Sequence, residues 1–270
     1  MERPAWAPLG IDISMPSVSR IYDYYLGGSH NFEVDREAAR KAMEFMPGLP
    51  KVMQANRAFM RRAVRHAVGR GVTQFLDIGS GIPTFGNVHE VAQQASPEAR
   101  VVYVDHDPVA VAHGQAVLEG TERTAAITGD LRKPRDILGS SEVAEVLDLD
   151  RPVAVLLVAV LHFLEDAYDP RAAVAELRDA TAPGSLLVVS HASYEGIPVP
   201  PEQAGRTVGV YKDIRNPLIM RSRDEIARFF EGYDMVEPGL VPMPHWRPDT
   251  APEEEDPYSF SGFAGVGRKR

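Results

Sequence analysis

The densest chemistry in the sequence lies in the run Phe75-Leu-Asp77-Ile-Gly79-Ser-Gly81-Ile-Pro-Thr84, followed by Asp105, 24 residues beyond Gly81, and by Thr128-Gly-Asp130-Leu131. A short apolar run that ends in glycines lets the backbone approach a ligand closely. A G-x-G pair alone is weak, so its flanks must decide. Thr84 stands where a dinucleotide fingerprint has its third glycine, with Pro83 just before it, so the close helix–strand packing of that fingerprint is not spelled out. Asp77 sits two residues ahead of the first glycine. A carboxylate there repels a pyrophosphate and favours an ammonium or a sulfonium.

S-adenosylmethionine (SAM) carries both of those cations. Asp105 falls near the ~20-residue spacing at which an acid at the end of the second strand reaches ribose hydroxyls. Asp130 follows a third strand candidate, where a carboxylate can accept a hydrogen bond from an adenine amino group. Three acids at successive strand ends define one crevice at the carboxyl edge of a sheet, where open α/β sheets bind ligands.

The elements around these acids read as α/β. Apolar runs at Gln74–Ile78, Val101–Val104, Ala125–Thr128, Val153–Val160 and Leu186–Ser190 alternate with helical segments, the pattern of a parallel sheet. Tyr233–Pro238 and Tyr258–Gly267 suggest an antiparallel hairpin at one edge. Asp107-Pro108, Asp169-Pro170 and the capping box Ser222-Arg-Asp-Glu225 mark helix starts. Ahead of the sheet, Asp35 is read as the N-cap of a helix over Arg36–Met46, and a second helix covers Lys51–Val68. The Pro- and Gly-containing stretch Glu195–Pro217 reads as a long loop, and Pro252–Pro257 as a solvated acidic one.

Composition excludes several chemistries. The 270 residues contain no Cys, which removes thiol nucleophiles, disulfides and Cys-ligated metals. His89-Glu90 begins like a zinc helix but meets Gln93 in place of the second histidine, and no metal site is expected. With 29 Lys+Arg against 38 Asp+Glu, the net charge of −9 argues against a nucleic-acid partner. Arg61, Arg62, Arg65 and Arg70 read as a solvated helix face. The longest apolar stretch, Val153–Leu161, is far short of the ~18–20 residues of a membrane span, and the expectation is a soluble, cytoplasmic protein without a membrane partner.

Asp77-x-Gly79-x-Gly81 with Asp105 and Asp130 resembles the SAM-binding motifs of class I methyltransferases over about residues 72–190. The stretch Arg20–Phe32, the Asn56-Arg57 pair and Gly81-Ile-Pro-Thr84 resemble an actinobacterial family of S-adenosyl methyltransferases catalogued as a domain of unknown function. The resemblance implies a Rossmann-like sheet of order 3-2-1-4-5-7-6 with its last strand antiparallel, residues 71–270, under an N-terminal helical cap, residues 1–70, in the same globule. It further implies SAM as cofactor, with Asp77, Gly79 and Gly81 at the methionine moiety, Asp105 at the ribose, Asp130 at the adenine and His106 flanking the adenine ring; Ser80, Leu131 and Val160 complete the expected cofactor-binding residues. Tyr22 and Asn31 are the further ligand contacts expected from the N-terminal stretch. Tyr22, Tyr24, Tyr25 and Phe32 either form a lid over the cation or anchor the segment hydrophobically.

His162 follows the fourth strand, where class I methyltransferases place residues near the transferring methyl. It is a candidate general base, with a capping or packing histidine as the alternative, and His191 is a lesser one. Aligning donor, methyl and acceptor can supply ~7–11 kcal/mol by itself, so a missing base does not weigh against transfer. Without a thiolate, the mechanism reduces to direct in-line displacement onto a small-molecule acceptor. A SAM-binding protein without transferase activity and, further off, a Rossmann oxidoreductase are the competing readings.

Overall fold

The computed structural model describes residues 12–195, 197, 200–212, 214, 217–250 and 262–270. The acidic loop Pro252–Pro257 and residues 258–261 of the expected last strand lie outside these. The sheet is built from β1 (Gln74–Ile78), β2 (Arg100–Asp105), β3 (Thr124–Thr128), β4 (Ala154–Val158), β5 (Leu186–His191), β6 (Tyr233–Met235), β7 (Val241–Pro242) and β8 (Phe263–Lys269). Its order is β3-β2-β1-β4-β5-β8-β6, with β7 also paired to β8. The first five strands are mutually parallel, and β8 runs antiparallel to β5 and β6. This is the order the sequence implied.

Strand alternation sorts the core onto two faces. Phe75, Val101, Leu156 and Val188 point into one cluster, while Leu76, Val102, Leu157 and Leu187, their sequence neighbours, point into the other. The first face is covered by α1 (Val18–Tyr25), α2 (Glu33–Phe45) and α3 (Leu49–Gly69), whose Ile21, Ala39, Phe59, Met60 and Ala63 join it. α4 (Val88–Ala95) adds Val88 and Ala92 to this face. The N-terminal helices and the sheet thus share one core.

On the chain's way through the sheet, α5 (Pro108–Leu118) links β2 to β3, and the short α6 (Pro134–Leu138) and α7 (Ser141–Val146) precede β4. α8 (Pro170–Asp179) contributes Val174 and Leu177 to the second face. α9 (Pro201–Lys212) and α10 (Arg223–Ala227) follow β5. The three sequence-marked caps form: Asp107 accepts from the Val109 N–H, Asp169 from Ala172, and Ser222 pairs reciprocally with Glu225.

Four sequence expectations change. Asp35 is not an N-cap: α2 starts at Glu33, and the fully buried Asp35 carboxylate accepts from the N–H groups of Phe32 and Ser17 and from Arg20 Nε, at 2.8–2.9 Å. It ties α1 to α2. Glu195–Pro217 is not simply a loop, because α9 forms within it and buries Ala204, Thr207, Val210 and Tyr211. Arg62 is not solvated but turns inward, donating to the carbonyls of Trp246 (2.8 Å) and Met243 (2.7 Å). Finally, the fourth strand stops at Val158, so Val160 lies in the turn beyond it.

Candidate active site

At the carboxyl ends of β1 to β4, beneath α1 and α3, lies a cleft. Asp77, Gly79, Ser80, Gly81, Asp105, His106, Asp130, Leu131, Val160 and Tyr22 all line it. Ten of the eleven cofactor candidates therefore converge. Asn31 does not: its amide donates to Asp23 Oδ2 (2.8 Å) and the Gly28 carbonyl (3.0 Å), and its oxygen accepts from Arg36, so it braces the α1–α2 turn. Of the aromatic quartet only Tyr22 reaches this cleft. Phe32 is buried in a separate cluster with Ile82 and Val109.

The glycines are where the sequence places them for steric reasons. Gly79 and Gly81 have φ of +74° and +68°, a region costly for L-residues. A Cβ on Gly79 would fall 2.4 Å from Val160 Cγ2. The turn is held by the Gly79 and Ser80 N–H groups, both donating to the Val104 carbonyl (2.8 and 3.1 Å).

Asp105 anchors the centre of the cleft. It is 3% exposed and accepts from the Gly81 N–H (2.7 Å) and the Asp107 N–H (2.8 Å), fixing the glycine turn against β2. Burial raises its pKa, opposed by His106, whose Nδ1 lies 3.6 Å away, and by those two N–H donors. Asp77 is 7% exposed, and burial pushes it to about 7; Arg57 pulls it down and the neighbouring Asp105 pushes it up. At Asp130, burial is outweighed by Arg132, whose Nε donates to both carboxylate oxygens at 2.9 Å, and the pKa is lowered.

Arg57 of α3, which the family resemblance marks only as part of the Asn56-Arg57 pair, belongs to the site as well. Its Nε is buried with no hydrogen-bond partner, and it lines the cleft beside Asp77. A basic residue interrupting the apolar periodicity of α3 next to Asn56 was the available signal.

A second cavity adjoins the first and shares Val18, Tyr22, Asn56, Ala159 and Phe163 with it. The partition is a hydrogen-bonded chain. Ser190 Oγ accepts from the Ala159 N–H (2.9 Å) and donates to Asn56 Oδ1 (2.5 Å); Asn56 Nδ2 donates to Tyr22 Oη (2.9 Å), which donates to the Met53 carbonyl (3.3 Å). Ala159 holds φ of +58°, a strained conformation of the kind that gathers at functional sites.

His162 and His191 line this second cavity. His162 Nδ1 accepts from the Ala192 N–H (3.1 Å), so the neutral ring carries its proton on Nε2. Burial, then His191 and Arg221, lower its pKa well below that of an ordinary histidine. His191 Nε2 accepts from Arg221 (2.9 Å) and Nδ1 donates to the Ala192 carbonyl (2.7 Å). Burial takes its pKa to about 4. Neither ring has a free basic nitrogen, a geometry that accords with the packing or capping alternative for His162 more than with a general base. His89 and Glu90, the broken metal motif, serve α4 instead: the Asn87 N–H donates to Glu90 (2.9 Å), and His89 contacts the Tyr103 hydroxyl (2.8 Å).

A parallel sheet of this order with an antiparallel strand inserted at one edge is the class I methyltransferase fold. The description S-adenosyl methyltransferase matches residues 4–270, and the chain belongs to that family. It is similar to a protein of Thermobifida fusca provisionally described as a methyltransferase, at 39% identity and TM-score 0.92, over 99% of this chain and all of that one. It is likewise similar to a DUF574 family protein of Streptomyces avermitilis, at 39% identity and TM-score 0.91, over 96% and 99% of the two chains. An O-methyltransferase family protein of Burkholderia thailandensis shares the fold at 12% identity and TM-score 0.51, over 92% and 63%. Comparison with curated proteins finds no match. SAM is the cofactor, and no described helix is long and apolar enough to cross a membrane.

Proposed function

We propose that the first cavity holds SAM and that its methyl passes by in-line displacement to a small molecule in the second cavity. The observation that carries this is the convergence of three acids and two positive-φ glycines on one cleft that shares Ala159 and Tyr22 as common wall with another. Asp77 and Arg57 form a pair of opposite signs matched to the ammonium and carboxylate of the methionine end. Asp105 is positioned for the ribose hydroxyls, and Asp130 with Leu131 for the adenine. The sulfonium then faces the partition.

The chemistry asks little of the protein beyond placement. The acceptor's electron pair forms the new bond to the methyl carbon as the carbon–sulfur bond breaks, and that pair stays on sulfur as S-adenosylhomocysteine (SAH). Positioning is the main contribution; a proton carried by the acceptor's oxygen or nitrogen leaves to solvent as the product forms, since neither lining histidine takes it. Methyl-labelled SAM incubated with the protein and a small-molecule cell extract tests this. Label appearing in a low-mass product together with SAH, and lost in Asp105→Ala, is expected. SAM binding without label transfer across fractionated extracts would favour a SAM-binding protein without transferase activity.

A further inference from the structure

The second cavity carries more information than its position. Among the described residues lining it, none bears a formal charge. Its apolar walls join the aliphatics Ile21, Leu49 and Val52 to four methionines, Met46, Met53, Met220 and Met243, and to aromatics such as Phe163 and Tyr211. Methionine packs adaptably on aromatic faces. The polar groups present are already committed. The Tyr25 and Tyr211 hydroxyls bond each other at 2.9 Å, Asn56 and Ser190 belong to the partition, and His191 is held between Arg221 and a carbonyl. His162 is left with its Nε2–H as an uncommitted donor.

We propose that this cavity selects an uncharged, predominantly apolar acceptor with an aromatic or polycyclic skeleton, which rests on the placing of SAM in the neighbouring cleft. A charged ligand would exchange water for apolar walls without gaining a counter-ion from the described residues, a transfer that is unfavourable unless the charge is paired. A cationic ligand would also lie beside the sulfonium and be repelled. A neutral ring system buries apolar surface and can offer an oxygen or nitrogen to the His162 donor.

The test is calorimetric titration of the full chain, with and without saturating SAH, using three probes of one skeleton: 1-naphthol, 1-naphthoate and 1-naphthylmethylammonium. Naphthol is expected to bind at least about 30-fold more tightly than either ion, since an unpaired charge in such a site costs well over one decade in affinity. Leu218, partly buried in the wall, supplies the counter-test. Leu218→Asp should strengthen naphthylmethylammonium by tenfold or more and weaken naphthol, while SAH affinity stays within about twofold. Equal binding of all three probes, no binding of naphthol, or a Leu218→Asp protein that binds SAH normally but leaves the probe order unchanged would overturn the proposal. Failure of SAH to bind would instead refute the placing of SAM, and the probe order on the cofactor-free chain would still decide the character of the cavity.

Discussion

Asp77→Asn should make the cofactor-free protein more stable while weakening its hold on SAM. The Asp77 carboxyl titrates at about 7 in the fold, against an ordinary value near 3.9. A pKa raised on folding means that the ionised form is disfavoured in the native state. The cost is absent below about pH 4, where both states are protonated, grows as pH rises, and is complete above about pH 7. Three units correspond to roughly 4 kcal/mol at pH 8, falling to roughly 1.5 kcal/mol at pH 5. Asparagine removes the ionisation but keeps the shape. Thermal unfolding of the cofactor-free proteins at the two pH values reads the difference: at ~2–4 °C per kcal/mol for chains of this size, Tm should rise by roughly 8–16 °C at pH 8 and by roughly 3–6 °C at pH 5. A lower Tm at pH 8, or the same gain at both, would refute the reasoning. With the ammonium of SAM set against Asp77 as proposed, SAM affinity should fall on acidification from pH 7 to 6 in the parent protein and stay flat in Asp77→Asn.

Gly79→Ala should destabilise more than Gly81→Ala in thermal unfolding: both pay roughly 1–2 kcal/mol for positive φ, but only the first drives a Cβ to 2.4 Å from Val160. Equal losses would contradict the contact. Arg62→Ala should cost about 2–4 kcal/mol in denaturant unfolding, because two buried carbonyls, of Met243 and Trp246, lose their donor; a change under 0.5 kcal/mol would show that water replaces it. With His162 titrating well below 6.5, kcat at saturating SAM should show no limb from this residue between pH 6 and 8, in the parent or in His162→Gln. A limb near pH 6.5 that vanishes in the variant would restore it as a base.

The sheet was legible because its strands are short, apolar and uninterrupted, and because Asp107-Pro108, Asp169-Pro170 and Ser222–Glu225 satisfy helix starts within a few residues of chain. The acids Asp77, Asp105 and Asp130 were legible for the same reason: a parallel sheet brings the ends of successive strands to one edge. What escaped depends on contacts between distant segments. Asp35 looked like a cap because its partners Ser17 and Arg20 lie 18 and 15 residues away. Arg62 looked solvated because Met243 and Trp246 are more than 180 residues away. α9 was hidden by the prolines and glycines around it, although Val210 and Tyr211 join the shared core. The tautomers of His162 and His191 rest on Ala192 and Arg221, a geometry no spacing rule encodes.

Calorimetric titration of the purified chain with SAM, SAH and NAD, repeated on Asp105→Ala, probes the proposed cofactor cleft most directly. SAM and SAH should bind one to one and NAD should not, and removing the Asp105 carboxylate should weaken SAM about 10- to 100-fold, the worth of charge-assisted hydrogen bonds to the ribose. Undiminished SAM affinity in a folded Asp105→Ala protein, or binding of NAD in preference to both adenosyl compounds, would contradict the assignment.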